Sequence, residues 1–168
     1  MKNKNRVVFI AQTGMIAAIY VALTYLSNMF NLSYGSIQFR LSEILTVLPV
    51  LTPAAVPGLA IGCFFGNIGS PYPADMIFGT LATLLAAIGT RAVRNIKIKN
   101  IPLLAPLFPV IVNAVVVGTQ ISMLMSNGFT AVNVLVFGGQ IALGEAVMCY
   151  VAGLPLTLAL KKTKIFSE

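Results

Sequence analysis

The stretch SIQFRLSEILTVLPVLTPAAVPGLAIGCFFGNIGSPYPAD, residues Ser36–Asp75, decides the fold. It begins with two charged residues, Arg40 and Glu43, and then runs apolar as far as Asn67. Three prolines interrupt it: Pro49, Pro53 and Pro57. A helix that crosses the hydrocarbon core of a membrane takes about 20 residues. The stretch is therefore too long for one ordinary transmembrane helix and too short for two.

The rest of the chain is also strongly apolar. Of its 168 residues 58% are hydrophobic and 9% are charged, and the mean hydropathy is +0.92. Because a soluble domain carries about 25% charged residues, this composition predicts a polytopic membrane protein with a single integral membrane domain over residues 1–168. The net charge of +7 does not indicate nucleic-acid binding, since the basic residues stand at the ends of apolar segments.

The chain has no His and two Cys, so we predict no metal site and no cofactor. Cys63 and Cys149 each stand inside an apolar run, which favours small buried packing residues over a disulfide. The basic start MKNKNR resembles a signal peptide. The apolar run after it is long enough to span and ends at no convincing cleavage site, so we predict a retained first transmembrane helix.

Four apolar segments accompany the Ser36–Asp75 stretch. They are Val7–Met29, Met76–Val93, Leu103–Met125 and Val134–Leu160. If each of these segments is one helix and the Ser36–Asp75 stretch forms two short helices, the chain has six helices. The predicted fold is therefore an all-α membrane protein, a six-transmembrane-helix bundle whose second and third helices are short and bent by proline.

The distribution of Lys and Arg predicts the orientation. All of them except Arg40 fall in three clusters: before the first segment, between Met76–Val93 and Leu103–Met125, and after the last segment. The positive-inside rule places these clusters and both termini in the cytoplasm. Ser36–Asp75 must then start and finish outside, so it enters the membrane and returns. Broken backbone at that depth is tolerated where protein or a cavity lies beside it, so a cavity open to the outside is expected.

Two series of small residues with four-residue spacing would allow close helix contacts. The second arm of the stretch carries Ala54, Gly58, Gly62 and Gly66, and we predict that these pack inside the bundle. The first helix carries Gly14, Ala18 and Ala22. From spacing alone this second series either packs internally or faces a partner protein.

Charged residues inside apolar segments are costly and are functional candidates by default. Arg40 and Glu43 are three residues apart and share a helix face, so they can pair, either structurally or within a site. Asp75 either caps the third segment and favours its helix dipole, or faces the site. Glu145 stands near the middle of the last segment and has no basic residue in that helix before Lys161. Glu145 is therefore either a structural residue, protonated or hydrogen-bonded within the bundle, or the strongest candidate for binding N–H donors or a cation.

Four amide side chains complete the set of candidate substrate-binding residues: Asn67, Asn113, Gln120 and Gln140. Any one of them is more often a contact between helices than a ligand contact. Together with the carboxylates they would line an outward-facing polar cavity with little net charge. Such a lining suits a flat heterocycle better than an inorganic ion.

Several motifs resemble the queuosine-precursor transporter (QueT) family. They are IQFRLSEILTVLPVLTPAAVPGLAIGCFFGN (Ile37–Asn67), DMIFGTLATLLAA (Asp75–Ala87), PVIVNAVVVG (Pro109–Gly118) and the pair Gly144-Glu145. The resemblance covers most of the chain in the same order. It implies the substrate-binding S component of an energy-coupling factor (ECF) transporter, a multi-pass protein of the prokaryotic plasma membrane that is not itself an enzyme.

The resemblance also implies partners. An S component delivers its ligand to a transmembrane coupling protein and two cytoplasmic ATPases, and this chain has no G-x-x-x-x-G-K-[ST] motif of its own. In that class a small-xxx-small motif on the first helix contacts the coupling protein. Ala18 and Ala22 match this motif, and Gly14 extends it.

The implied ligand is a 7-deazaguanine queuosine precursor captured from outside. A guanine-type edge presents an N–H and an NH2 side by side, and one carboxylate can accept both. Glu145 is the first candidate for this role and Glu43 the second. The alternatives are an S component for another vitamin-like molecule, a membrane scaffold without a ligand, and an autonomous channel or carrier.

Overall fold

The computed structural model describes residues 2–32, 39–125, 129–163 and 165–166, which form helices and no strand. The six helices are α1 (Lys2–Met29), α2 (Leu41–Val50), α3 (Ala55–Gly66), α4 (Asp75–Ala92), α5 (Leu107–Met125) and α6 (Ala131–Thr163). A short 3-10 turn, Asn67–Gly69, continues α3. The all-α class and the six-helix count are confirmed. The first residues of the opening stretch, 36–38, lie outside the described residues.

Among the residues that the structure describes, three helical spans are long and apolar enough to cross a membrane: Asn5–Met29, Leu107–Leu124 and Ala131–Thr163. The α2 helix and the Ala55–Gly69 segment are apolar but shorter. α4 has 18 residues and carries Asp75 in its first turn and Arg91 in its last. The chain is thus a helical membrane protein, and its orientation stays a prediction.

The α2 and α3 helices are the two arms of one hairpin. The chain turns between them at residues 51–54, which include Pro53. At the other end of the hairpin, Arg40 Nη2 donates a hydrogen bond of 2.8 Å to Asn67 Oδ1. The residue before α2 therefore lies beside the residue after α3, so the stretch leaves and returns at the same end of the bundle, as predicted. The attribution of the bend to the prolines stays a prediction.

The turn of the hairpin lies at the basic end of the bundle. Arg91, in the last turn of α4, donates a hydrogen bond of 3.1 Å to the carbonyl oxygen of Pro49 near the end of α2. This bond gives a partner to a carbonyl at the broken backbone, as buried polar groups require. The hairpin thus reaches from the Arg40–Asn67 contact to the end that carries Arg91.

The α2 helix lies inside the bundle, where it packs against α1, α4 and α6. It is a 3-10 helix of 10 residues, whereas runs longer than 3–4 residues are uncommon for this helix type. The segment of α6 that packs against it, Val147–Gly153, has π-helical geometry. A Cβ atom on Gly153 would lie 2.7 Å from the carbonyl oxygen of Ile44. Glycine is therefore required for this close approach, and the two irregular helices share one interface.

The α3 helix packs against α1 through its glycines. A Cβ atom would lie 2.9 Å from Thr13 O at Gly58 and 2.7 Å from Tyr20 Cβ at Gly62. At Gly66 it would lie 3.1 Å from Thr24 Oγ1. The prediction that these small residues pack inside the bundle is confirmed.

The Gly62→Ala variant should unfold at a lower temperature than the wild type, because its methyl group meets Tyr20 Cβ and lies 3.0 Å from Ala17 O. Overpacking of this kind costs about 1–3 kcal/mol. Thermal unfolding in detergent measures the effect. Gly14→Ala is the matched control, since nothing lies within 4 Å of its new Cβ atom and alanine favours the helix. Equal midpoints for the two variants would contradict the close packing of α3 on α1.

Candidate functional site

A small polar cleft lies between the helices next to the Arg40–Asn67 end of the hairpin. It is lined by Arg40, Glu43, Cys63, Gly79, Thr83, Asn113, Val117, Ile141 and Glu145. The cleft therefore brings together four of the eight predicted substrate-binding residues. Its volume is about 20 Å³, which is room for about one water molecule. The cleft is therefore smaller than a ligand-sized cavity, and the expectation that it opens to the outside stays a prediction.

Glu43 has one carboxylate oxygen that is left without a partner. Its side chain is 4% exposed, and Tyr20 donates a hydrogen bond of 2.5 Å to Oε1. Oε2 is buried and accepts no hydrogen bond from the described residues. Leaving a buried acceptor unsatisfied costs about 1–3 kcal/mol, and more for a charged group. Since Glu43 lines the cleft, its free oxygen can accept a hydrogen bond from a ligand there.

Glu145 faces Glu43 across the cleft with both of its oxygens in contact with protein atoms. Asn113 Nδ2 donates a hydrogen bond of 2.5 Å to Oε1. Cys149 Sγ lies 3.6 Å from Oε2. Glu43 thus has one carboxylate oxygen with no partner among the described residues, whereas both oxygens of Glu145 have a protein contact.

Cys149 connects the two irregular helices behind these carboxylates. Its Sγ atom lies 3.3 Å from Thr46 Oγ1 and 3.6 Å from the carbonyl oxygen of Glu43. Cys63 and Cys149 are free and buried, as the sequence predicted. Their thiols also belong to the polar network, since Thr83 Oγ1 donates to Cys63 Sγ at 3.2 Å.

Asn67 joins the hairpin to α4 at the mouth of the cleft. It accepts the hydrogen bond from Arg40, and its Nδ2 atom donates to the backbone oxygen of Asp75 at 2.9 Å. The residue is 1% exposed and packs closely against Gly79, where a Cβ atom would lie 2.8 Å from Asn67 Nδ2. Asn67 therefore holds the mouth together instead of lining the cleft.

Asp75 forms a second polar group beside this mouth. Its carboxylate accepts hydrogen bonds from Gln120 Nε2 and Ser70 Oγ. It makes no side-chain cap, since Ala74 occupies the N-cap position of α4 without a side-chain bond. Asp75 therefore does not cap the helix through its side chain, but it stands in the first turn of α4, where a carboxylate favours the helix dipole. It also binds α4 to α5 through Gln120.

The two glutamines lie outside the cleft lining. Gln120 is 5% exposed, and its Oε1 atom is buried without a hydrogen-bond partner in the described part of the chain. The Oε1 atom of Gln140 is likewise buried and without a partner there. All the acidic side chains that the structure describes, Glu43, Asp75 and Glu145, belong to the cleft or to the polar network at its mouth.

Tyr20 is the main site residue that the sequence interpretation missed. It is fully buried in α1 and donates to Glu43. A signal was present, because Tyr20 stands two residues from both Ala18 and Ala22 and so points about 200° away from them. If those alanines face outward, Tyr20 must face the core. Indeed Gly14, Ala18 and Ala22 are all exposed on the outer side of α1.

These features define a helical membrane protein that encloses a small polar cleft. The family model described as QueT transporter matches residues 10–162, so the chain belongs to the QueT transporter family. It is similar to the "Queuosine precursor transporter QueT" of Lactococcus lactis subsp. cremoris (strain MG1363), with 35% identity over 83 residues. That alignment covers 49% of this chain and 49% of the relative, about half the length of each. No solved structure matches the chain.

Proposed function

We propose that this chain is the substrate-binding S component of an ECF-type importer and that its ligand is a 7-deazaguanine queuosine precursor. The observation that carries the proposal is the free Oε2 atom of Glu43, buried in a polar cleft within the bundle. A scaffold protein would be expected to pair its buried polar atoms helix to helix. The printed name of the Lactococcus relative supports the ligand class.

The chemistry of the cleft fits the edge of a guanine-type base. Glu43 would accept the ring N–H and the exocyclic NH2, and Asn113 and Arg40 would donate to ring carbonyl and nitrogen atoms. Glu145 would then orient Asn113, whose Nδ2 atom it already binds. In this proposal Glu145 is a supporting residue and Glu43 the primary contact, the reverse of their order in the sequence interpretation.

Binding requires the cleft to open. A cleft of about 20 Å³ does not admit a bicyclic base. The contact at its mouth is a side-chain hydrogen bond from Arg40 to Asn67, which a ligand can replace with its own, while Asn113 stays bound to Glu145. We therefore infer that the described conformation is the contracted state and that the ligand enters at the Arg40–Asn67 mouth. That mouth faces outside if the basic end is cytoplasmic.

The outer side of α1 fits the proposed coupling role. Gly14, Ala18 and Ala22 are exposed, and a Cβ atom on Gly14 would meet nothing within 4 Å. Small side chains on an exposed transmembrane face let a second helix approach closely. We propose that the transmembrane coupling protein of the importer packs here and that two cytoplasmic ATPases supply the energy. The complex would lie in the plasma membrane of a prokaryote.

Reconstitution tests the proposal directly. The purified chain should bind a queuosine precursor base in isothermal titration. Vesicles should accumulate that base only when the coupling protein, the ATPases and ATP are present. A panel of flavin, thiamine and folate competitors separates this ligand from other vitamin-like molecules. Uptake by the chain alone would refute the S-component role, and tight binding of another panel member in place of the base would refute the ligand.

A further inference from the structure

A second and larger cavity lies at the other end of the bundle, where the α2–α3 hairpin turns. Its volume is about 240 Å³. It is lined by Val50, Leu51, Lys97, Asn100, Pro102, Thr157, Leu158, Leu160, Lys161 and Phe166. The lining therefore combines apolar side chains with two ammonium groups and two neutral polar groups. The ligand cleft and the coupling face of α1 contribute nothing to it.

The charged side chains that the structure describes at this end are all positive. Lys97 and Lys161 line the cavity, and Arg94, Lys99 and Lys162 are their neighbours in the chain. All acidic residues among those described belong to the polar network around the other end of the hairpin. No carboxylate in the described part of the chain therefore neutralises the cavity, and an anion is the favoured occupant.

The rim of the cavity is a fixed turn. The N–H groups of Ile98 and Ile101 each donate to the other residue's carbonyl oxygen, at 2.9 and 3.0 Å. The two residues between them, Lys99 and Asn100, have φ angles of 50° and 65°. Positive φ at both central residues is the geometry of a type I′ turn. This turn holds Lys97 and Asn100 at the cavity, while Lys99 at its tip does not line it.

One buried hydroxyl in the lining lacks a partner. Thr157 on α6 is 1% exposed, and its Oγ1 atom makes no hydrogen bond to the described residues. Helix interiors usually satisfy a threonine hydroxyl by a bond to a carbonyl one turn earlier. An unsatisfied donor within a cavity that carries two ammonium groups is suited to an oxygen-rich anion.

We propose that this cavity binds the phosphodiester headgroup of an anionic phospholipid. The cavity lies at the ends of membrane helices whose basic residues mark the level of the lipid headgroups. Lys97, Lys161, Asn100 and the Thr157 hydroxyl supply donors for the phosphate oxygens. Leu51, Leu158 and Phe166 supply apolar contacts that a free phosphate cannot use. The cavity is also smaller than the 300–1,000 Å³ typical of drug-sized ligands, so it suits one headgroup.

Native mass spectrometry of the purified chain, released from vesicles of phosphatidylglycerol and phosphatidylcholine, tests the proposal without the transported ligand. The wild type should retain one phosphatidylglycerol in preference to phosphatidylcholine. The Lys97→Gln/Lys161→Gln variant should bind it roughly 10- to 30-fold more weakly. Lys99→Gln/Lys162→Gln is matched in charge and in location but not in the cavity lining, so it should retain the lipid. Thr157→Val, of nearly the same shape, should weaken retention without unfolding the protein.

Each other outcome counts against the proposal. Equal losses in the two double variants would mean general attraction to surface charge, and no preference for phosphatidylglycerol in the wild type would mean no lipid site. Full displacement by soluble glycerol phosphate would assign the cavity to a soluble anion. If cavity variants bind lipid normally but lose a co-purifying protein, the cavity is a protein interface.

Discussion

The Glu43→Gln variant should lose roughly 100-fold in affinity for the 7-deazaguanine base. Removing one member of a buried, charge-assisted hydrogen-bonded pair costs about 2–5 kcal/mol, and about 1.4 kcal/mol is tenfold in affinity. Glutamine keeps one oxygen acceptor, but its NH2 group would face the N–H donors of the ligand. Isothermal titration with the purified protein measures the loss.

Two further variants make the result interpretable. Ser42→Ala alters the neighbouring residue on α2, which is fully buried and whose hydroxyl has no partner in the described structure, so its affinity should match the wild type. Glu145→Gln should lose less than Glu43→Gln, because Glu145 acts through Asn113. A large loss in Glu145→Gln beside a normal Glu43→Gln would restore the order that sequence alone predicted.

A base analogue without the exocyclic amine tests the single contact between the Glu43 carboxylate and that amine. The wild type should bind this analogue more weakly than the parent base, whereas Glu43→Gln should hardly distinguish the two. The coupling energy from this cycle isolates the contact between Glu43 and the amine. Additive losses would place the amine beside another residue.

The helical architecture could be predicted from the sequence because composition indicates the apolar helices and the positions of Lys and Arg indicate how they are arranged. The awkward length of Ser36–Asp75 and the positions of the Lys and Arg residues sufficed to predict a hairpin that returns to its starting end. The Arg40–Asn67 hydrogen bond agrees with that prediction. A stretch that returns to its starting end brings Arg40 near Asn67, but this reasoning could not say which of its polar residues line the cleft.

The details of the site depend on features that leave little trace in the sequence. Apolar periodicity does not distinguish a 3-10 helix or a π segment from an α-helix, and these two irregular segments set the positions of Glu43 and Cys149. Burial depth favoured Glu145 as the primary contact, whereas the hydrogen bonds of Glu145 and Glu43 depend on partners such as Asn113 and Tyr20. Pairing across helices is a tertiary property that the residue types alone do not fix.

Replacing Ala18 and Ala22 together by leucine should abolish co-purification of the coupling protein and ATP-driven uptake. Both alanines are exposed, so the larger side chains extend away from the chain's own core. They would, however, hold a partner helix away from the α1 backbone, and close backbone approach is what stabilises small-residue contacts in membranes. Pull-down of the coupling protein and vesicle uptake measure the two losses.

Gly139→Leu provides the matched control for this face. Gly139 on α6 is also exposed with nothing within 4 Å of a Cβ atom, but it lies on another helix. Its variant should keep the coupling protein, and an equal loss would show that any bulky surface residue disrupts the complex. If the Ala18→Leu/Ala22→Leu variant retained uptake, the coupling protein would bind a different surface of the chain.

The Ala18→Leu/Ala22→Leu variant should bind the free base with wild-type affinity. This result would separate binding of the coupling protein from binding of the ligand. Ala18 and Ala22 lie on the outer side of α1, while Tyr20 between them reaches inward to Glu43. A ligand that engages Glu43 therefore acts on a side chain of the helix that carries the coupling face. If the Ala18→Leu/Ala22→Leu variant loses ligand affinity as well, the two sides of α1 are not independent, and Tyr20 is the contact through which the disturbance would reach the cleft.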